Sequence, residues 1–271
     1  MFEHDVKRVP DGSAMIGDSR GRLLEGKVII VTGASRGIGA AAARAFAAEG
    51  ASVVLAARSA ELLQSIADEI GAGGGQALAV PVDVSDPASV ESLVRRTLDA
   101  FGRLDGAFNN AADGPPPTPL ADLPVEGFDH ALAVNLRGTF LCLKYEIPAM
   151  LATGGGSIVN MSSTAGLRGV PGLAGYVSSK HGILGLTKVA ALDYGKQGVR
   201  VNAVTPGPIL TDRLAALDES QRERISAFVP LGRLGQPEEV AATVAWLLSD
   251  RSTFVTGAAI SVDGGRMASG A

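Results

Sequence analysis

The chain has 271 residues, 46% hydrophobic and 19% charged, a balance that suits one large soluble domain or two small ones. Its net charge of −4 offers no basic field to hold nucleic acid or an anionic membrane. Cys142 is the only cysteine, which excludes an internal disulfide and a cysteine-cluster metal site.

Residues 1–25 show no sustained periodicity and are expected to form a mobile arm ahead of one domain, 26–271. The arm lacks the apolar stretch of a secretory signal, and no uncharged apolar run reaches the ~20 residues of a membrane span. A reducing, cytoplasmic compartment is expected. From Lys27 onward, short β-branched runs alternate with longer alanine-rich amphipathic stretches. Strands are read at 27–32, 51–57, 76–82, 104–110, 156–162, 199–205 and 258–262. Helices are read at 37–49, 59–70, 86–101, 125–151, 174–196 and 237–249. Several strands are continuously apolar, as strands covered on both sheet faces are. The alternation predicts a parallel, doubly wound sheet of about seven strands with helices on both faces.

The first strand runs into TGASRGIG, Thr32–Gly39, where Gly33, Gly37 and Gly39 open the next helix. Glycine there lets backbone approach a pyrophosphate, and a helix N-terminus supplies N–H donors and a positive dipole end. The bland alternative is a tight strand–helix turn. No Lys–Ser/Thr pair follows, so a Walker A loop is excluded, and the spacing also differs from GxGxxG. Glycine is abundant throughout, 35 of 271 residues or about 13% against a usual ~7%. Further on, Tyr176 and Lys180 stand four residues apart and share one face of a helix. They are either a surface pair, with the lysine stem across the ring, or an acid/base couple in which the cation eases phenolate formation. His4, His130 and His181 are scattered without ligand spacing, so no metal is expected. Cys142 lies in an apolar helical stretch and reads as inert core.

Thr32–Gly39, Asn109–Ala112 (NNAA), Asn135 in AVNLRGTF, Ser163 in NMSSTAG and the Tyr176–Lys180 pair stand in the order and spacing of the short-chain dehydrogenase/reductases. PGPILT, Pro206–Thr211, and VDGG, Val262–Gly265, also resemble that family, so the likeness runs over roughly 25–266. It implies a Rossmann-type sheet, a nicotinamide dinucleotide and hydride transfer to or from a carbonyl or alcohol carbon. It implies Tyr176 as general acid or base and Lys180 as partner to the phenolate and the nicotinamide ribose. It further implies Ser163 as orienting donor to the substrate oxygen and Asn135 as holder of a relay water. For Asn135 the alternative is a side chain that satisfies a kinked helix. Cofactor contacts are implied for Gly33, Ser35, Arg36, Gly37, Ile38, Gly39, Asp83, Val84, Asn110, Ala111, Ala112, Tyr176, Lys180, Pro206, Gly207, Ile209 and Thr211. Asp83 is otherwise a cap or turn residue. The family usually has glycine where this chain has Ala112.

The end of the second strand bears on cofactor choice. An NAD site places an acid there for the ribose hydroxyls, about 20 residues past the glycine turn. This chain has Ala57 followed by Arg58, with Arg36 inside the glycine turn. Two guanidinium groups suit a 2′-phosphate, so NADP(H) is expected over NAD(H) and a carbonyl reductase over an alcohol dehydrogenase. Residues 207–235 are expected to form a substrate lid, in which Leu210, Leu214, Leu217 and Phe228 either face an apolar substrate or pack the lid down. Long apolar faces on the helices at 125–151 and 174–196 lead to an expected homotetramer, with a dimer as fallback. An NAD-dependent alcohol dehydrogenase, a non-catalytic dinucleotide sensor and a longer-branch epimerase or dehydratase are the other readings; the last usually has a longer chain and another glycine spacing.

Overall fold

The computed structural model describes residues 21–268. Strands β1 (Val28–Thr32), β2 (Ser52–Ala57), β3 (Gln76–Pro81), β4 (Gly106–Asn109), β5 (Gly156–Met161), β6 (Val199–Pro206) and β7 (Ala259–Val262) form one parallel sheet in the order β3-β2-β1-β4-β5-β6-β7. The helices between them are α1 (Gly37–Ala48), α2 (Ala60–Ala72), α3 (Pro87–Phe101), α4 (Val125–Ala131), α5 (Gly138–Ala152), α6 (Ala174–Tyr194), α7 (Asp212–Ala215), α8 (Glu219–Ser226) and α9 (Pro237–Leu248).

Strand periodicity sorts the core into two faces. Ile29 and Val31 of β1 join Phe46 of α1, Leu63 of α2 and Val244 and Leu248 of α9. Ile30, between them, joins Leu93 of α3 and Ile147 and Met150 of α5 on the opposite face. Because both faces are covered, β1 is buried at every position, which is why Val28 to Val31 reads as an unbroken apolar run. Phe46 meets Phe108 of β4 edge-on, with ring centroids 6.3 Å apart, tying α1 to the centre of the sheet.

Two differences from the expected elements matter for function. The helix expected over 125–151 is interrupted by a π turn, Leu132–Arg137, and Asn135 lies in it, fully buried. The segment 207–235, expected as a substrate lid and read without helices, contains α7 and α8, the latter started by a capping box between Asp218 and Gln221. The expected arm, 1–25, falls outside the described residues up to residue 20. Its last part is fixed: Leu24 is fully buried and its N–H donates to the Glu49 carbonyl at 3.0 Å.

β1 and β4 are neighbours although β2 follows β1 in the chain, so the strand order reverses between them. That reversal opens a crevice beyond their carboxyl ends, where sheets of this kind bind ligands. The glycine turn after β1 and the Asn109–Ala112 segment at the end of β4 border it.

Candidate active site

The floor of the crevice is made from close backbone. Gly33 and Gly37 have φ of +67° and +54°, a region in which a side chain is strained. A methyl group on Gly33 would lie 2.8 Å from Asn110 Nδ2 and 2.9 Å from the Ala111 Cα. One on Gly37 would lie 3.2 Å from Thr211 Cγ2, and one on Gly39 would run into the Gly33 carbonyl. Asn110 clamps the turn: its Nδ2 donates to the Thr32 carbonyl at 2.9 Å, and its N–H donates to Thr32 Oγ1 at 3.0 Å. No side chain caps α1 and no acid stands in its first turn, so the N–H groups there face the crevice without internal competition.

The catalytic candidates converge at the carboxyl end of β5. The Ser163 hydroxyl bonds the Tyr176 phenol and also accepts the Ala165 N–H at 3.1 Å. Lys180 is buried, with Nζ 5.4 Å from the Tyr176 ring centroid and 2.7 Å from the Met161 carbonyl it donates to. Burial pulls the Lys180 ammonium down to about 7. Burial also raises the Tyr176 phenol, opposed by the Ser163 bond and then by the positive charge of Arg213 on α7. Arg213, a residue the sequence did not single out, thus adds a charge that favours the phenolate.

The Asn135 side chain is engaged with the loop after β4. Its Oδ1 accepts the Asp113 N–H at 2.9 Å and its Nδ2 donates to the Asp113 carbonyl at 2.8 Å. The amide therefore pins the loop after β4 to the π turn, the alternative role of satisfying irregular backbone. Asp83 is exposed, and its Oδ1 accepts from the Ser85 N–H and hydroxyl, which holds the carboxyl below its ordinary range. Val84 is buried against Gly138. Ala112 is exposed, and no residue other than glycine has positive φ among the described residues, so alanine replaces the usual glycine there without strain. Gly207 packs on Asp263, and Ile209 is buried and bridged to Gly235, holding the segment after β6 over the glycine turn. His130 approaches Asp113 at 3.4 Å and His181 bonds the Val177 carbonyl; no group of three metal-ligating side chains occurs among the described residues. Burial pushes the Cys142 thiol well up, as inert core requires.

Sequence reading missed one buried network beneath the crevice. Asn109 Nδ2 donates to Glu146 Oε2 at 3.0 Å and to Asn160 Oδ1 at 3.1 Å, and Asn160 Nδ2 donates to Thr187 Oγ1 at 3.0 Å. Burial raises the Glu146 carboxyl to about 7. A glutamate in a mostly apolar helix was the available signal.

A family model described as enoyl-(acyl carrier protein) reductase matches residues 33–266. The 2,5-dichloro-2,5-cyclohexadiene-1,4-diol dehydrogenase of Sphingobium indicum is 45% identical over 246 residues, covering 89% of this chain and 97% of that one. The cyclohexanol dehydrogenase of an Acinetobacter species is 44% identical, covering 88% and 94%. The crystal structure of levodione reductase superposes with a TM-score of 0.86 at 38% identity, over 91% of this chain and 99% of that one. The chain belongs to the short-chain dehydrogenase/reductases. It is an oxidoreductase acting on CH–OH or C=O groups with a nicotinamide dinucleotide, and its fold is the Rossmann-type single domain of that family. The crevice of this short-chain dehydrogenase/reductase fits such a cofactor: the cradle that any Cβ would fill and the uncapped N-terminus of α1 suit its pyrophosphate. No helix among the described residues is long and apolar enough to cross a membrane.

Proposed function

We propose that this enzyme reduces a ketone to a secondary alcohol with NADPH in the cytoplasm, using Tyr176 as the acid. The observation that carries the reading is the convergence of Ser163, Tyr176 and Lys180 at the end of β5. When bound, the nicotinamide supplies the hydride that reaches the carbonyl carbon. Tyr176 gives its phenolic proton to the carbonyl oxygen. The phenolate left behind is stabilised by the Ser163 hydrogen bond and by Arg213. Ser163 Oγ accepts the Ala165 N–H, and its one O–H, which faces the phenol, is the donor that can turn to the substrate oxygen when substrate is bound. Lys180 has one hydrogen bond among the described residues, to Met161, which leaves its other N–H donors for ribose hydroxyls.

NADPH is favoured over NADH by the end of β2. Ala57 closes that strand and Arg58 is exposed behind it, meeting Asp113 only at 3.4 Å. Arg36 is also exposed, at the start of α1. Both can turn to a 2′-phosphate. A homotetramer, with a dimer as the fallback, is supported by Phe140 on α5 and Val189 and Leu192 on α6, large apolar side chains left exposed. A 27.5 kDa species in light scattering would reject either assembly.

The decisive experiment is a panel of cyclic and open-chain ketones with each cofactor. Tyr176→Phe is expected to lower kcat by about two to four orders of magnitude, the usual worth of general acid catalysis, while cofactor affinity stays within a few-fold. A Phe variant that keeps most of its kcat removes Tyr176 as the acid; a higher kcat/KM with NADH than with NADPH removes the cofactor assignment.

A further inference from the structure

Arg58 and Asp113 meet across the mouth of the crevice. Arg58 follows β2 and Asp113 follows β4, the two strands that flank β1 in the sheet. All three strands run parallel, so a bond between the segments that leave β2 and β4 passes over the carboxyl end of β1, where the glycine turn begins. That bond is present: Arg58 Nη2 donates to Asp113 Oδ2 at 3.4 Å.

The two partners differ in freedom. Asp113 is held at three points: its N–H donates to Asn135 Oδ1 at 2.9 Å, its carbonyl accepts from Asn135 Nδ2 at 2.8 Å, and its Oδ1 accepts the Gly114 N–H at 2.9 Å. Asn135 is fully buried in the π turn, so the mount does not follow the loop. Oδ2 is left for Arg58, with His130 Nε2 of α4 also 3.4 Å away. Arg58, by contrast, is a long side chain that is 72% exposed. Its charge also acts on Asp83 after β3, but Asp83 Oδ1 is taken by Ser85, and Asp113 is the acid within ion-pair distance. A fixed acid thus faces a movable cation.

A 2′-phosphate drawn to Arg58 has to take the guanidinium from this carboxylate. The acid cannot withdraw without breaking the Asn135 bonds, so the arginine must turn and leave Asp113 without that partner. NADH makes no such demand, because its adenosine ribose carries no 2′ anion. We propose that Asp113 is a specificity-determining residue, which competes with the 2′-phosphate for Arg58 and narrows the preference for NADPH over NADH. The proposal rests on the reading of Arg58 as a ligand of the 2′-phosphate. An exposed ion pair contributes a factor of about five at most, so Asp113 tunes the choice and does not make it.

The test is fluorescence titration of the full chain with NADPH and with NADH, which needs no ketone. Asp113→Asn keeps the side chain's size, an acceptor for the Gly114 N–H and both backbone bonds to Asn135, and removes the charge. It is expected to tighten NADPH binding about fivefold and to leave NADH within about twofold. In an Arg58→Ala background the same substitution is expected to move NADPH affinity by less than about twofold, because the contested group is gone. An unchanged ratio of the two Kd values in Asp113→Asn, beside an Arg58→Ala enzyme that binds NADPH more weakly, overturns the proposal alone. A gain that persists undiminished without Arg58 also overturns it, since the carboxylate then repels the phosphate directly. Arg58→Ala with native NADPH affinity removes Arg58 as the phosphate ligand, and the competition falls with that reading. A wild-type preference for NADH rejects the cofactor assignment, and the shift in Asp113→Asn still decides the role of the acid.

Discussion

The cofactor side of the crevice, Gly33 to Gly39 with Asn110, is shaped by backbone hydrogen bonds and by side chains that are missing. The opposite side is made of side chains from distant segments, Ser163 after β5, Tyr176 and Lys180 on α6 and Arg213 on α7. The first is one short turn held by the Asn110 clamp, and it tolerates almost no added volume. The second depends on three distant segments meeting, and its members can change without disturbing the sheet. A fold divided in this way can keep one cofactor and change its substrate by altering side chains alone.

The comparison breaks most readily at Gly39. A methyl group there would meet the Gly33 carbonyl and lie 2.7 Å from Asn110 Nδ2, so the turn or the clamp must move. Gly39→Ala is expected to weaken cofactor binding on the order of a hundredfold, matching overpacking of about 3 kcal/mol. Titration of cofactor fluorescence measures it. A Gly39→Ala enzyme with native cofactor affinity would mean that the floor yields more easily than its contacts indicate.

The same contrast explains what was legible in the sequence. TGASRGIG and Tyr176-x3-Lys180 act through local geometry, a positive φ or a shared helix face, so spacing reveals them. β1 was legible because burial on both faces leaves no polar position from Val28 to Val31. Asn135 was visible as a residue but not as a clamp, because Asp113, its partner, is 22 residues away across a loop. The π turn around it has no periodic signature. α8 escaped because it buries no residue, so no apolar stripe marks it. Arg213 looks like an ordinary surface cation until tertiary structure brings α7 up to Tyr176.

Beneath both sides, Glu146 and Lys180 give the cofactor-free protein opposing responses to pH. Glu146 has its folded pKa raised from about 4.5 to about 7, so the stability tied to its neutral form is complete below pH 4.5 and lost as pH rises to about 7. That loss is about 3 kcal/mol at most. Lys180 has its folded pKa lowered from 10.5 to about 7, so its charging cost is relieved as pH rises through 7 to 10.5. Stability is therefore expected to pass through a minimum near pH 7, read from urea unfolding across the range. Glu146 Oε1 and Asn109 Oδ1 are both buried without partners among the described residues, and a proton on the carboxyl supplies a donor for that amide oxygen. Glu146→Gln supplies a donor that does not titrate and should flatten the acidic limb alone; an unchanged slope between pH 4.5 and 7 would remove Glu146 as its source.

The smallest expected effect sharpens the comparison from the cofactor side. Not every small residue there is dictated by backbone conformation: Ala112 is exposed, and alanine occupies it without positive φ. Ala112→Gly brings the position to the family's usual residue, yet in this chain it removes no clash and relieves no strain. Its effect should come through the unfolded chain, which gains freedom, lowering stability by about 0.4–1 kcal/mol. Cofactor Kd should stay within about twofold, since the Gly33 and Gly39 contacts and the Asn110 clamp are untouched. Thermal melting and cofactor titration on the same preparation separate the two quantities. A tenfold gain in cofactor affinity would show that the Ala112 methyl crowds the bound dinucleotide, and the floor of the crevice would then extend one residue beyond Ala111.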